Sequence, residues 1–201
     1  FAASDSVNGL ELWKSDGTAE GTVLVKDISP GSFNSFPNSL TAVGNTLFFR
    51  AVNFVNGYEL WKSDGTTEGT VLVKDIVPGS AGSFPNSLKA VGNTLYFTAD
   101  NGVNGRELWK SDGTAEGTVL VKDISPGSVR STPSHLTAVG TTLFFRAFDG
   151  VNGYGLGLQP QHQICSLLID PQVIARSARC FQPIIQHYVR PVDQSYLVRS
   201  K

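Results

Sequence analysis

The chain is poor in the residue types that carry most protein chemistry. Among 201 residues there are no methionines, two cysteines and three histidines, and the formal net charge is −1. Both cysteines, Cys165 and Cys180, lie beyond residue 154, so the first 154 residues hold no disulfide framework. The two thiols stand fifteen apart, a spacing that leaves both a bridge in an oxidising compartment and two separate thiols open. Near-zero charge and a pI of about 6.3 give no electrostatic case for nucleic acid or an anionic membrane surface. No apolar run approaches the roughly 18 residues of a spanning helix, so membrane insertion is not expected. Hydrolase signatures of the G-x-S-x-G, S-x-x-K and H-E-x-x-H types are missing. Phe1 is not a translation start, which leads to the expectation of a processed or excised piece.

What the chain has in abundance is repetition. A 48-residue unit opening Glu-Leu-Trp-Lys-Ser-Asp-Gly-Thr occurs at 11–58, 59–106 and 107–154, with Trp13, Trp61 and Trp109 in step. The second copy differs from the first at ten positions. A period of this size marks a modular array in which each unit buries its apolar face against the next.

Each unit reads as four short strands. In the first pass these are Ser39–Val43, Thr46–Ala51, Tyr58–Lys62 and Thr70–Ile76. Gly44-Asn45 between the first two is a hairpin signal, and Asn56-Gly57 and Asp64-Gly65 turn the chain twice more. Short connections throughout predict an antiparallel meander. The longer stretch Ser29–Asn38, with Pro30, Gly31 and Pro37, reads as the crossover from the last strand of one sheet to the first of the next. The natural sheet is therefore a permuted unit, complete at 38–76 and 86–124, with 1–28 supplying later strands and 134–154 earlier ones. Leu47, Phe49 and Ala51 share one strand face and Phe48 takes the other, as expected of sheets covered on both sides. The fold class that follows is all-β: a propeller-like array of four-stranded antiparallel blades, about three per chain, with a non-repeat C-terminal tail. Propellers close with about four to eight blades, so two chains forming a six-bladed ring as a homodimer is the expected assembly.

The run ELWKSDGTAEGTVLVKDISPGS resembles the ELWxxDGT repeat proteins, a bacterial family of long tandem arrays, over residues 1–154. That resemblance implies a secreted or cell-surface β protein of propeller type and no defined catalytic activity. The SDGT turn is also similar to the Asp-box of sialidases and other propellers, where it fastens a hairpin and takes no part in chemistry.

Candidate sites follow from residue type. Asp16, Asp64 and Asp112 precede Gly in tight turns, where a carboxylate caps backbone amides. The loops Asp100-Asn101-Gly102-Val103-Asn104-Gly105 and Asp149-Gly150-Val151-Asn152-Gly153 cluster oxygens, which makes Asp100, Asn101, Asp149 and Asn152 the calcium candidates. Trp13, Trp61 and Trp109 are either buried anchors or a sugar-stacking set. Glu11, Glu59 and Glu107 precede them, placed to bond a hydroxyl-rich ligand or neighbouring lysines. His135 reads as a surface histidine, and His162 and His187 lie in the tail.

The places where the copies disagree are informative. Phe33-Asn34 becomes Ala81-Gly82 and Val129-Arg130, Val52 becomes Asp100 and Phe148, and Tyr58 becomes Arg106. In a meander these positions gather at one end of the sheets, which adds Phe33, Arg106, Arg130 and Phe148 to the candidate ligand contacts. The expected function is a non-catalytic extracellular binding or structural module recognising a glycan or protein. The alternative is an esterase or glycosidase with its site in a channel or formed with the tail.

The repeat pattern ends at Tyr154, and residues 155–201 shift to a Gln- and Arg-rich composition. A terminal cap and a fusion or frame-shifted segment both account for that shift. A short helix from Asp170-Pro171 through Phe181, then strands at Ile184–Val189 and Tyr196–Arg199, are expected there.

Overall fold

The computed structural model describes residues 1–150 and two tail strands, Cys165–Ser166 and Arg179–Cys180. Strands β1 (Ala2–Asp5), β2 (Gly9–Lys14) and β3 (Val23–Lys26) form a three-stranded sheet. Strands β4 (Asn38–Val43), β5 (Thr46–Asn53), β6 (Gly57–Ser63) and β7 (Val71–Lys74) form the first complete sheet. The second comprises β8 (Asn86–Val91), β9 (Thr94–Asp100), β10 (Arg106–Ser111) and β11 (Val119–Lys122). A hairpin of β12 (Ser134–Val139) and β13 (Thr142–Arg146) ends the repeats. Strands pair antiparallel in chain order, so the all-β class, the meander and the permuted boundaries all appear as expected. Among the described residues no sheet closes on itself. In the tail, β14 (Cys165–Ser166) runs beside β13 and pairs with β15 (Arg179–Cys180), setting Cys165 opposite Cys180 in backbone register. Arg179–Cys180 is thus extended where a helix was expected, and the expected strands at 184–189 and 196–199 lie outside the described residues.

Local chemistry explains the element ends. Val43 pairs with Thr46 across a two-residue loop whose first member, Gly44, takes φ +57, a left-handed value that glycine adopts without strain. Strand β7 stops at Lys74, short of the expected Ile76. The chain leaves β6 there because the amide of Val77 turns to the Glu59 carboxylate, 3.2 Å away, instead of to the neighbouring strand. The crossovers carry backbone strain at the same places in each copy: Phe36, Phe84 and Thr132 have φ of 45–50°, and Ser39, Ser87 and His135 of 53–58°. A left-handed residue with a Cβ costs about 1–2 kcal/mol, so the crossover path is held by its surroundings rather than chosen locally.

Successive sheets pack face to face. Leu12, Val25 and Ile28 of the first sheet meet Phe49, Ala51 and Trp61 of the second. Phe48, Leu60 and Val73, on the opposite face of that second sheet, meet Leu95, Phe97, Ala99 and Trp109 of the third. Tyr96 and Leu108 then meet Leu143 and Phe145 of the last hairpin. The alternation read at 47–51 is therefore the alternation between two inter-sheet cores. Each fully buried Phe or Leu stabilises by about 1.5–3 kcal/mol, which makes these seams the principal apolar contribution.

A polar seam runs beside the apolar one. Lys14 Nζ donates to the Gly65 carbonyl and Lys62 Nζ to the Gly113 carbonyl, each at 2.8 Å. Lys26 Nζ reaches the Thr70 carbonyl and Lys74 Nζ the Thr118 carbonyl, again at 2.8 Å. Two lysines of each sheet thus latch onto the SDGT turn of the next. Ser63, Thr70, Ser111 and Thr118 in the latched turns are buried, whereas Ser15 and Thr22 in the first turn are exposed.

Candidate functional site

The crossovers and the loops between second and third strands form one end of the molecule, and backbone bonds tie them together. Val52 N donates to Ser35 O at 2.8 Å, Asp100 N to Ser83 O at 3.0 Å and Phe148 N to Ser131 O at 2.8 Å. The foundation beneath them is a buried glutamate. Glu59 is fully buried, and its carboxylate accepts from Ser83 Oγ at 2.5 Å, Ser83 N at 2.8 Å and Val77 N at 3.2 Å. Glu11 accepts from Ile28 N, Ser29 N, Ser35 N and Ser35 Oγ, and Glu107 from Ile124 N, Ser131 N and Ser131 Oγ. Burial disfavours the charged form and pushes the Glu59 carboxyl up to about 7, against the pull of its donors. Glu11 and Glu107 are raised for the same reason. These glutamates bond neither lysine nor an accessible ligand surface; they pin the crossover.

A second set of side chains fixes the outer loops. Asn53 Oδ1 accepts from the amides of Val55 and Asn56, and Asn101 Oδ1 from those of Val103 and Asn104. Asn56 Nδ2 and Asn104 Nδ2 then donate to Asp75 Oδ2 and Asp123 Oδ2, each at 2.7 Å. So braced, the loops hold apolar groups out into solvent: Val7, Phe33, Phe54, Val55, Val103 and Val129 are all more than half exposed. Exposed apolar side chains concentrated on one end of a frame are the usual sign of a contact surface.

The candidates from sequence fall into two groups. Phe33 is on this surface, its ring 4.6 Å from that of Phe54 and nearly perpendicular to it. Arg130 is in the third crossover, two repeats from Phe33, as an exposed cation 3.4 Å from Asp100, and the Arg106 guanidinium donates to the Phe84 carbonyl at 2.9 Å. Phe148 is half-buried in the equivalent of the Val52 position. The tryptophans are elsewhere. Trp61 and Trp109 are each 6 % exposed between sheets, so neither ring offers a face for sugar stacking. The indole N–H groups of Trp13, Trp61 and Trp109 are buried without a hydrogen-bond acceptor, and the rings of Trp61 and Trp109 pack in the cores between sheets. Trp13 is half-buried beside an open cavity.

The SDGT turns lie at the opposite end and satisfy themselves. Asp64 Oδ1 accepts from Thr66 N and Thr66 Oγ1, Thr66 Oγ1 accepts from Gly69 N, and Ser63 Oγ bonds Thr70 Oγ1. These bonds hold Asp64 below the ordinary aspartate range, and Asp16 and Asp112 likewise. Of the calcium candidates, Asp100 and Asn101 spend their oxygens on loop amides and on Arg130. Asp149 is described, whereas Asn152 lies outside the described residues. Among the described residues no group of three or more His, Cys, Asp or Glu converges. His135 is exposed, and its ring nitrogen approaches Ser134 Oγ at 3.2 Å.

Sequence reasoning missed the buried glutamate anchor, the Asn–Asp brace and the lysine latch. A signal for the first was present, since Glu59 shares a strand face with Trp61, and a carboxylate on a buried face requires donors. Comparison with family models, curated proteins and solved structures gave no match.

Proposed function

We propose that residues 1–154 form a propeller-type repeat module that binds a protein partner outside the cell through its crossover-loop end, without catalysis. The observation that carries this reading is the cluster of exposed apolar side chains, headed by the Phe33–Phe54 pair, on braced loops. Aromatic and arginine side chains on a rigid base supply most of the affinity in protein interfaces; Phe33 and Phe54 present the aromatic part at the first crossover and Arg130 a cation at the third. The resemblance to ELWxxDGT repeats supports the extracellular and propeller parts. A glycan ligand is the second reading, and burial of Trp61 and Trp109 weighs against it. Against a hydrolase, the one carboxyl among the described residues raised to about 7, Glu59, is sealed behind the crossover where no substrate reaches.

The test is a panel of purified secreted proteins and a glycan array probed with the wild-type chain and with Phe33→Ser/Phe54→Ser. The reading expects a protein ligand lost on that double change and kept on changing Asn45 at the far end. Glycan binding indifferent to Phe33 and Phe54, or hydrolysis of an ester or glycoside substrate, would overturn it.

A further inference from the structure

Residues 1–154 contain four arginines, and three of them converge at the loop end of the second and third sheets. Arg50 lies on the face of β5 that meets the third sheet, in alternation with Phe48. Its guanidinium sits 5.3 Å over the centre of the Tyr58 ring, and that ring packs against Phe84 with centroids 5.4 Å apart. The Phe84 carbonyl accepts from Arg106 Nη1 at 2.9 Å. Arg106 pairs across the strands with Asp100, and Asp100 Oδ2 is 3.4 Å from Arg130 Nη2. Contacts thus run unbroken from Arg50 through two rings to Arg106, and on to Arg130. Burial lowers the Arg106 guanidinium; Asp100 opposes this, and the nearby Arg130 and Arg50 charges add to it.

The cluster is short of acceptors. Asp100 serves Arg130, while Asp75 and Asp123 accept from Asn56 and Asn104. Among the described residues no hydrogen-bond acceptor meets Arg50, whose Nε is buried. A π face steadies a guanidinium but takes none of its N–H donors in line. An unpaired buried donor destabilises the free protein and favours any anion that reaches it. The site is open, with Phe84 44 % exposed and the Arg130 side chain 64 %. It is also particular to this seam: one repeat earlier the counterparts of Arg50, Tyr58 and Arg106 are Ala2, Leu10 and Tyr58, with no cation among them.

We propose that this seam receives a carboxylate from an acidic, partly apolar segment of the protein partner, seated against Arg50 and Arg106 with Arg130 at the rim. A guanidinium fork matches a carboxylate, and the Tyr58 and Phe84 rings cover the aliphatic stem or the neighbouring apolar side chain. Charge complementarity selects the acid. The geometry selects a peptide over a sulfated polysaccharide, which is held by cations strung along a surface. Here the cations converge, and Val7, Val55, Val103 and Val129 occupy the exposed loops around them. The inference rests on the reading of the loop end as a protein-binding surface and adds the chemistry of the partner.

The experiment is fluorescence anisotropy on the full chain with a short fluorescein-labelled peptide of alternating Glu and Leu. A Lys-Leu peptide and a heparin fragment are the comparators. The expected result is binding of the acidic peptide, weakening as salt rises, with the dissociation constant raised roughly tenfold or more by Arg50→Met and less by Arg130→Gln. Arg50→Met keeps a stem over Tyr58 and removes an unpaired cation, so the melting temperature of the variant is expected to hold. The acidic peptide should raise the melting temperature of the wild-type chain and not that of Arg50→Met. Arg130→Gln, at an exposed position, carries the test if the first variant fails to fold. No acidic-peptide binding, binding indifferent to both arginines, or a heparin fragment that displaces the peptide from them more tightly would overturn the proposal. Its failure is distinct from failure of the wider reading. A protein ligand that depends on Phe33 and Phe54, without peptide binding, sinks this inference alone. A chain that binds the peptide through these arginines yet captures no protein sinks the wider reading and leaves the carboxylate site standing.

Discussion

Replacing Glu59 with Gln should change both the stability of the protein and the way that stability depends on pH. The Glu59 carboxyl is fully buried and raised to about 7, whereas in the unfolded chain it has the ordinary value of 4.5. Between those values the folded state holds a proton that the unfolded state has released. Stability is therefore full below pH 4.5 and falls as pH rises toward 7, by about 3 kcal/mol for a shift of this size. Glu11 and Glu107 are raised too and slope the same way. Opposing them at lower pH are Asp16, Asp64 and Asp112, whose lowered values stabilise the fold above 3.8 and cease to as pH falls through them. The stability curve should thus crest between the ordinary aspartate and glutamate values and decline toward neutrality. Gln keeps the shape and one acceptor oxygen for the Val77 and Ser83 amides, so Glu59→Gln costs about 1 kcal/mol in mild acid and removes its share of the slope. Glu59→Ala strands two amides and a hydroxyl in a dry site and costs about 3–5 kcal/mol. Urea denaturation of the three proteins across this pH range reads all of these effects. Stability that rises from pH 5 to 7, or a Gln variant with an unaltered slope, would refute the reasoning.

Other consequences follow from single contacts. Gly69→Ala places a Cβ 2.1 Å from Asp64 Oδ1, expels the carboxylate from its turn and should cost about 1–3 kcal/mol in a denaturant titration. Lys62→Met keeps the stem but loses the bond to the Gly113 carbonyl and should cost about 1 kcal/mol, whereas Lys110→Met, at an exposed position, should cost nothing measurable. Phe49→Ala opens a hole between the first two sheets and should cost about 3–5 kcal/mol, with the melting temperature as the readout.

The strand pattern was legible because each strand carries its own local evidence. Leu47, Phe48 and Phe49 alternate between two buried faces, Gly44-Asn45 can only turn tightly, and a strict period fixes every later strand once the first is placed. Residues 33 and 130 were legible as candidate contacts because they sit in crossovers where one otherwise repeated unit changes residue type from copy to copy. The tryptophan assignment was ambiguous for a physical reason: an aromatic on a strand buries or exposes its ring according to the neighbouring sheet, which strand periodicity does not specify. The lysine latches were illegible for a similar reason. Lys14 and Gly65 lie a full repeat apart, and their contact depends on how two sheets stack rather than on anything within one. The exposed valines were overlooked because they do not vary: Val7, Val55 and Val103 recur, and recurrence reads as scaffold until burial is known.

The account turns on the claim that the crossover-loop end is a rigid, glutamate-anchored surface. Peptide-level hydrogen exchange over residues 29–37, 77–85 and 125–133 measures that claim directly. The account predicts that the amides of Ser35, Val77, Ser83 and Ser131 exchange as slowly as those of the neighbouring strands, while the Val55 and Val103 loops exchange faster. Crossovers that exchange at the rate of unstructured chain would contradict it and remove the foundation from the proposed binding surface.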